Sequence, residues 1–397
     1  MEKLAIFGGK PVFEKKIGYG RQCIDEADIQ AVADVLRSDF LTCGPKIDEA
    51  EEKLCEITGA KHAVLVSNGT VALHAACHAA GIGPGDEVIT TPMTFAASAN
   101  CALYCGGTPV FADIDPETYN IDPKSIEEHV TEKTKAVVAV DFTGQAAKLR
   151  EIREICEKHR LILIEDGAHS IGTKYNGVPV GAISDMTTLS FHPVKTVTAG
   201  EGGAIMTDDE AFYKSLLLFR THGITRNPAW MKNAPEGGWY YEQVDLGPNI
   251  RMTDIQATLL LSQLNKLDTF IARRKEIVRK YDAAFSEMPE IVVQKEIPES
   301  DTARHLYIIQ LALEKLKAGR REIFDALQAE NIGCNVHYIP VYYFPYYQDR
   351  GYKKGLCPNA ERLYERIISI PLFYSMTDSD VEKVILAVKK VVDFYKR

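Results

Sequence analysis

Apolar positions along the chain switch between two rhythms. Short apolar runs at His62–Val66, Glu87–Thr91, Pro109–Ala112, Ala136–Asp141, Leu161–Glu165, Met186–Phe191 and Ala204–Thr207 read as strands. Between and around them, apolar residues recur at three- and four-residue steps. That spacing predicts helices at Ile24–Arg37, Ile47–Thr58, Thr70–Ala80, Ala96–Cys105, Ile126–Val130, Lys148–Lys158 and Glu210–His222. Alternating strands and helices, with the strands apolar on both faces, build a mostly parallel sheet covered on both sides. The expected fold is therefore α/β, a large domain around a seven-stranded sheet. In such sheets ligands sit beyond the carboxyl ends of the strands.

The pattern changes at both ends of this region. Gly8, Gly9, Pro11, Gly18 and Gly20 keep residues 1–20 from regular structure, so they read as an arm. After a loop rich in glycine and aromatic residues, Asn227–Asn249, a helical stretch runs from Thr253 to Met288. Strands at Ile291–Val293, Leu306–Leu313 and Cys334–Tyr338, with helices at Arg320–Glu330, Asn359–Arg366 and Asp378–Tyr395, predict a smaller α+β domain. The expected division is 1–250 for arm and large domain, and 251–397 for linking helix and small domain.

Composition narrows the partners more than the fold. A net charge of −9 over 397 residues argues against a nucleic-acid surface, while leaving room for a local phosphate pocket. No apolar run approaches the ~18 residues of a membrane span, and the N-terminal segment lacks the apolar core of a secretion signal. Nine cysteines without a CxxC pair read as reduced thiols, which fits a reducing cytoplasm. Cys101 and Cys105 share a helix face but have too few companions for zinc.

The candidate chemistry gathers in Asp185–Asp208. A strand ends at Ser190-Phe191-His192, Pro193 breaks it, Lys195 follows, and Gly200, Gly202 and Gly203 lead into the next strand. A solvated surface is the ordinary place for a lysine. Here glycines permit close approach of a flat ligand while strands fix the loop. A lysine held in this way sheds its proton and forms a Schiff base with a carbonyl. Pyridoxal phosphate (PLP) needs, besides that lysine, a carboxylate for its ring nitrogen, a phosphate cradle and a flat side chain over the ring.

The chain offers each of these. Val66-Ser67-Asn68-Gly69-Thr70-Val71 passes from strand to helix through a small-residue turn. Its free N–H groups and positive helix end suit a dianion, with the Thr70 hydroxyl as a further donor; the same residues also make a plain turn. Ser190 adds another hydroxyl. Asp166 follows a strand buried on both sides and is either a salt-bridged structural carboxylate or the partner that keeps the ring nitrogen protonated. His169 is either a satisfied core histidine or a contact to the ring or its phenolic oxygen. Phe95, beyond the strand ending at Thr91, has core packing as its default role and stacking on the ring as its alternative. Asn249 and Arg251 read alone as a loop brace and a surface charge. P-loop, HExxH and GxSxG motifs are absent, and Gly81-x-Gly83-x-Gly85 precedes a strand rather than opening a helix.

In this order and spacing, VSNGTVALHAA, TPMTFAASANC, IEDGAHSIG, SFHPVKTVTAGEGGAIMTDD and LGPNIRMTDIQA resemble the DegT/DnrJ/StrS sugar-nucleotide aminotransferases over nearly the whole chain. The resemblance implies the fold-type-I architecture of PLP-dependent transferases. It further implies Lys195 as the Schiff-base lysine, Asp166 as the ring-nitrogen partner, Gly69, Thr70 and Ser190 as phosphate contacts, and Phe95 as the stacking residue. Asn249 matches a residue that reaches the phosphate from the other subunit of a homodimer. Tyr19, Asp39, Phe40, Leu41, Thr42 and Tyr338 match sugar-nucleotide contacts. The flanks YGRQCIDEADI, SDFLTCGP, VHYIPVYYFPYY and ISIPLFYSMTD are similar to the pseudaminic-acid branch of the family. That likeness implies transfer from L-glutamate to C4 of a UDP-linked 2-acetamido-2,6-dideoxy-4-ketohexose, giving UDP-4-amino-4,6-dideoxy-N-acetyl-beta-L-altrosamine. Two positions depart from the pattern: Cys43 stands in place of a glutamine, and Ala199 in place of a common threonine.

Overall fold

The computed structural model describes residues 3–397. Seven strands form the central sheet: β1 (His62–Val66), β2 (Glu87–Thr90), β3 (Thr108–Phe111), β4 (Thr134–Val140), β5 (Ile162–Asp166), β6 (Met186–Ser190) and β7 (Gly203–Thr207). Their spatial order is β1-β7-β6-β5-β4-β2-β3. The run from β6 to β3 is parallel, while β7 lies antiparallel to both β6 and β1. The strands are apolar on both faces because helices cover both. One face packs Val64, Val88, Val138 and Ile164 under helix α3 (Gly69–Ala79) and its neighbours; the other packs Leu65, Leu189, Ala204 and Met206 under α2 (Pro45–Thr58) and α8 (Asp254–Leu264).

Helices α1 (Glu26–Leu36), α4 (Ala97–Tyr104), α5 (Pro123–His129), α6 (Leu149–His159) and α7 (Glu210–Arg220) complete this region and follow the expected pattern within a few residues. The expected single stretch Thr253–Met288 is two helices, α8 and α9 (Leu267–Phe285), broken at Asn265–Lys266. No glycine or proline marks the break. The Lys266 ammonium reaches Asp25 and the fully buried Asp28 at 2.8 and 2.7 Å, and this ion pair anchors the turn to α1.

The smaller sheet is antiparallel, ordered β8 (Ile291–Val293), β9 (Tyr307–Leu311), β10 (Ile367–Ile370). Cys334–Tyr338, expected as a strand, makes only a single bridge, Asn335 to Ser369. The place beside β9 belongs instead to Ile367–Ile370, whose four residues are all buried, leaving the 335–338 segment free to face the large sheet. Helices α10 (Arg320–Ala329), α11 (Pro358–Tyr364) and α12 (Asp378–Tyr395) flank this sheet.

The apolar clusters change hands inside α9: Leu267, Phe270 and Ile271 pack with the large sheet, whereas Ile277, Tyr281 and Phe285 pack with the small one. Leu4 and Phe13 of the arm also belong to the small-sheet cluster. A further cluster joins Met93, Phe111 and Phe142 to Leu306, Ile308 and Tyr342, closing the two sheets on each other.

Candidate active site

The carboxyl ends of β1, β5 and β6 open into a cavity of about 810 Å³ between the two sheets. The sheet register sets the relative positions of its residues. Asp166 ends β5 and pairs with Thr188 of β6, and Ser190, two residues on, pairs with Gly203 of β7, which also pairs with Val66 of β1. Thus the Asp166 carboxylate, the Ser190 hydroxyl and the β1–α3 turn meet at one edge.

The turn forms a cradle. Asn68 caps α3 by accepting the Val71 N–H at 3.0 Å. Gly69 and Thr70, whose N–H groups have no acceptor within the helix, line the cavity with Ser190. Space here is tight. A methyl group on Gly69 would lie 2.8 Å from Ser190 Cβ, and one on Gly203 would lie 2.5 Å from the Asn68 carbonyl. Only glycine lets three strands and a helix start converge this closely. A concave ring of N–H and hydroxyl donors at a positive helix end suits a phosphate dianion.

Lys195 stands on the loop between β6 and β7. That loop is held by Phe191, whose N–H donates to Gly202 O at 2.8 Å and whose carbonyl accepts from Ala199 N and Thr198 Oγ1, each at 3.0 Å. Burial in the cavity wall brings the Lys195 amine down from 10.5 to about 8, with the Asp166 charge pulling the other way. Asp166 is itself buried, which raises it above the ordinary carboxylate range. A 2.5 Å bond from the Ser98 hydroxyl, the Ala168 N–H and the Lys195 charge oppose that rise. A cationic ring nitrogen facing Asp166 would hold it ionised.

Phe95, 62% exposed, turns its ring into the cavity from the β2–α4 connection. The same cavity is lined by Tyr338, its ring centroid 6.4 Å from that of Phe95, and by His169, whose Nε2 lies 3.2 Å from Tyr338 Oη. Burial holds the His169 imidazole well below its usual range, with the Lys195 charge adding to the effect, so the ring is neutral. Its Nδ1 is buried without a partner among the described residues. Tyr19 brings the arm to the same wall and packs on His337, ring centroids 5.1 Å apart. These groups fit PLP: a poised amine, a buried carboxylate, a donor-lined cradle and aromatic faces open into one cavity.

Other expected site residues lie elsewhere. Asn249 is exposed, bridged to Thr221, and does not line this cavity. Asp39, Phe40, Leu41 and Thr42 are also exposed and outside it. Thr42 bridges to Thr253, and Leu41 O accepts the Asp254 N–H at 3.0 Å, which fixes this loop on α8. Of the two departures, Cys43 is exposed with φ 57°, and Ala199 is buried in the core under α2 and α8.

Several groups in the cavity wall or packed behind it carry no signal in the sequence. Ser98 reads as an ordinary small helix residue until the fold points it at Asp166. His337 and His305 come from the small domain. The His305 ring meets His169 at a tilt, centroids 4.5 Å apart, and His337 Nδ1 sits 2.8 Å from Ser369 Oγ. Arg274, fully buried, fixes the backbone there by donating to the carbonyls of His305 and Leu372 at 3.2 and 3.1 Å. Behind Asp166, burial and the neighbouring Glu165 charge raise Asp141, which keeps its proton.

Residues 22–389 match the model of the DegT/DnrJ/EryC1/StrS aminotransferase family. The chain is 43% identical to the spore coat polysaccharide biosynthesis protein SpsC of Bacillus subtilis over 376 residues, 94% of this chain and 96% of that protein. It is 36% identical to the UDP-4-amino-4,6-dideoxy-N-acetyl-beta-L-altrosamine transaminase of Campylobacter jejuni over 371 residues, 93% and 95% of the two chains. Among solved structures, Helicobacter pylori PseC, an aminotransferase involved in the biosynthesis of pseudaminic acid, superposes with a TM-score of 0.89 at 32% identity, covering 96% of this chain and 100% of its own. The PLP-form of the putative sugar aminotransferase Spr1654 of Streptococcus pneumoniae gives 0.88 at 32% identity, covering 96% and 99%.

Proposed function

The chain belongs to the DegT/DnrJ/EryC1/StrS family of PLP-dependent sugar-nucleotide aminotransferases, and from that premise we propose that it moves an amino group from L-glutamate to C4 of a UDP-linked 2-acetamido-2,6-dideoxy-4-ketohexose. The observation that carries the chemistry is Lys195, its amine brought to about 8, in one cavity with Asp166. The likeness to the altrosamine transaminase supports the sugar. When bound, PLP supplies an aldehyde for the lysine and an electron-withdrawing ring.

The chain's own residues do the rest. Gly69, Thr70 and Ser190 bind the phosphate. Asp166 holds the proton on the ring nitrogen, with Ser98 fixing its carboxylate. Phe95 and His169 set the plane of the ring. Lys195 Nζ, partly uncharged near neutral pH, takes the proton from the amine-bearing carbon of the donor and delivers one to C4 of the sugar. Tyr19 and Tyr338 border the space beyond and orient the sugar nucleotide. Asn249 and Asp39–Thr42, exposed and outside their own cavity, complete the site of a second copy in a homodimer with two shared sites.

A second reading keeps the reaction and changes the sugar. The higher identity to a spore coat polysaccharide protein favours another nucleotide-linked keto sugar. Both readings are separated by incubating the PLP-loaded enzyme and glutamate with UDP- and dTDP-linked 4-keto and 3-keto sugars and assigning the products by NMR. The proposed function predicts an amine at C4 of the UDP sugar. Conversion of only another ketosugar supports the second reading, and conversion of none overturns both.

A further inference from the structure

The end of the N-terminal arm forms part of the cavity wall, and its beginning is fastened to the small domain through Glu330 and Lys390. Glu330, at the end of α10, has no exposed side-chain surface, and its one cationic partner among the described residues, Lys390 of α12, is 7% exposed at 3.0 Å. An ion pair this dry is costly unless its remaining lone pairs are satisfied. Here the arm satisfies them. Glu330 Oε1 accepts the Ala5 N–H at 2.9 Å and Oε2 the Val12 N–H at 3.0 Å, while Lys390 Nζ donates to Lys10 O at 3.0 Å. Leu4, fully buried, plugs the small-domain core beside them.

From this clamp the arm is fastened step by step to the cavity. Phe13 N–H donates to Glu330 O, and Asn331 Nδ2 to Phe13 O. Ile17 exchanges bonds with Asn331 and Gly333 at 3.0 and 2.7 Å, and Tyr19 O accepts the Leu372 N–H at 3.0 Å. Tyr19 then meets His337 and the cavity. The carboxylate thus acts at one end of a continuous hydrogen-bonded track whose other end is an aromatic ring in the site.

We propose that Glu330, with Lys390, is a positioning residue for the sugar half of the reaction, holding the arm so that Tyr19 stays on the cavity wall. The inference rests on Tyr19 as a contact to the sugar nucleotide and goes beyond that reading by assigning the residues that keep it there. A clamp serving only small-domain folding would affect both half-reactions alike. A positioning clamp raises KM for the sugar and spares the reaction with glutamate.

The test measures the two half-reactions of the PLP-loaded enzyme separately in the wild type and in Glu330→Gln, Tyr19→Ala, the double variant and Leu4→Ala. Leu4→Ala loosens the same end of the arm without touching a charge, so it stands in if Glu330→Gln does not fold. The expected result is a rise of about tenfold or more in sugar KM for Glu330→Gln and Leu4→Ala, with the glutamate half-reaction changed less than about twofold. In the Tyr19→Ala background, Glu330→Gln should add less than about twofold, because both act through one ring. An unchanged sugar KM, equal loss of both half-reactions, or full additivity of the two substitutions overturns the inference. Failure of the wild type to convert any ketosugar overturns the underlying function instead.

Discussion

A lysine must shed its proton before its amine bonds to a carbonyl, and Lys195 does so where burial brings it from 10.5 to about 8. The same shift leaves a mark on stability. Below about pH 8 the charged amine weighs against the folded chain, whereas between about 8 and 10.5 the unfolded chain binds a proton that the folded chain does not. Compared with Lys195→Met, the PLP-free wild type should therefore gain unfolding free energy as pH rises through that window, as measured by chemical denaturation. A pH-independent difference would show that the amine is not depressed. Lys195 and Asp166 were legible because their immediate neighbours are unusual: glycines around one, an unbroken apolar strand before the other. Ser98, His305 and Arg274 were not, since each owes its role to a partner far along the chain.

At the scale of elements, the phosphate cradle is a consequence of three strands and one helix start meeting without side chains between them. Gly69→Ala places a methyl group 2.8 Å from Ser190 Cβ, and overpacking of this kind costs about 1–3 kcal/mol. Affinity for PLP, followed by absorbance titration, should fall roughly ten- to a hundredfold while the circular dichroism spectrum is kept. Affinity equal to that of the wild type would mean that the turn does not hold the phosphate. Every strand of the large sheet was legible from its apolar run. The small sheet was harder. Cys334–Tyr338 carries strand-forming residues, but their neighbours turn them to the cavity, and the short Ile367–Ile370 run before Pro371 takes the ladder position. The Asn265–Lys266 break is likewise tied to two aspartates at the start of a distant helix.

For the whole molecule, the question is what completes a site whose cavity omits Asn249 and Asp39–Thr42. A homodimer with shared sites predicts complementation. Mixed and reassociated, Lys195→Ala and Asn249→Ala chains, each inactive or nearly so, should form hybrids carrying one intact site, recovering about one quarter of wild-type activity. No recovery after verified subunit exchange would place Asn249 outside the chemistry.

PLP chemistry in this cavity rests on the bond between one amine and one aldehyde. Reducing the PLP-loaded enzyme with borohydride, digesting it and locating the added pyridoxyl mass tests this in one step. The expected label is on Lys195 alone, and it is lost when glutamate is added before reduction. A label on any other lysine, or none on the peptide carrying residue 195, would contradict it.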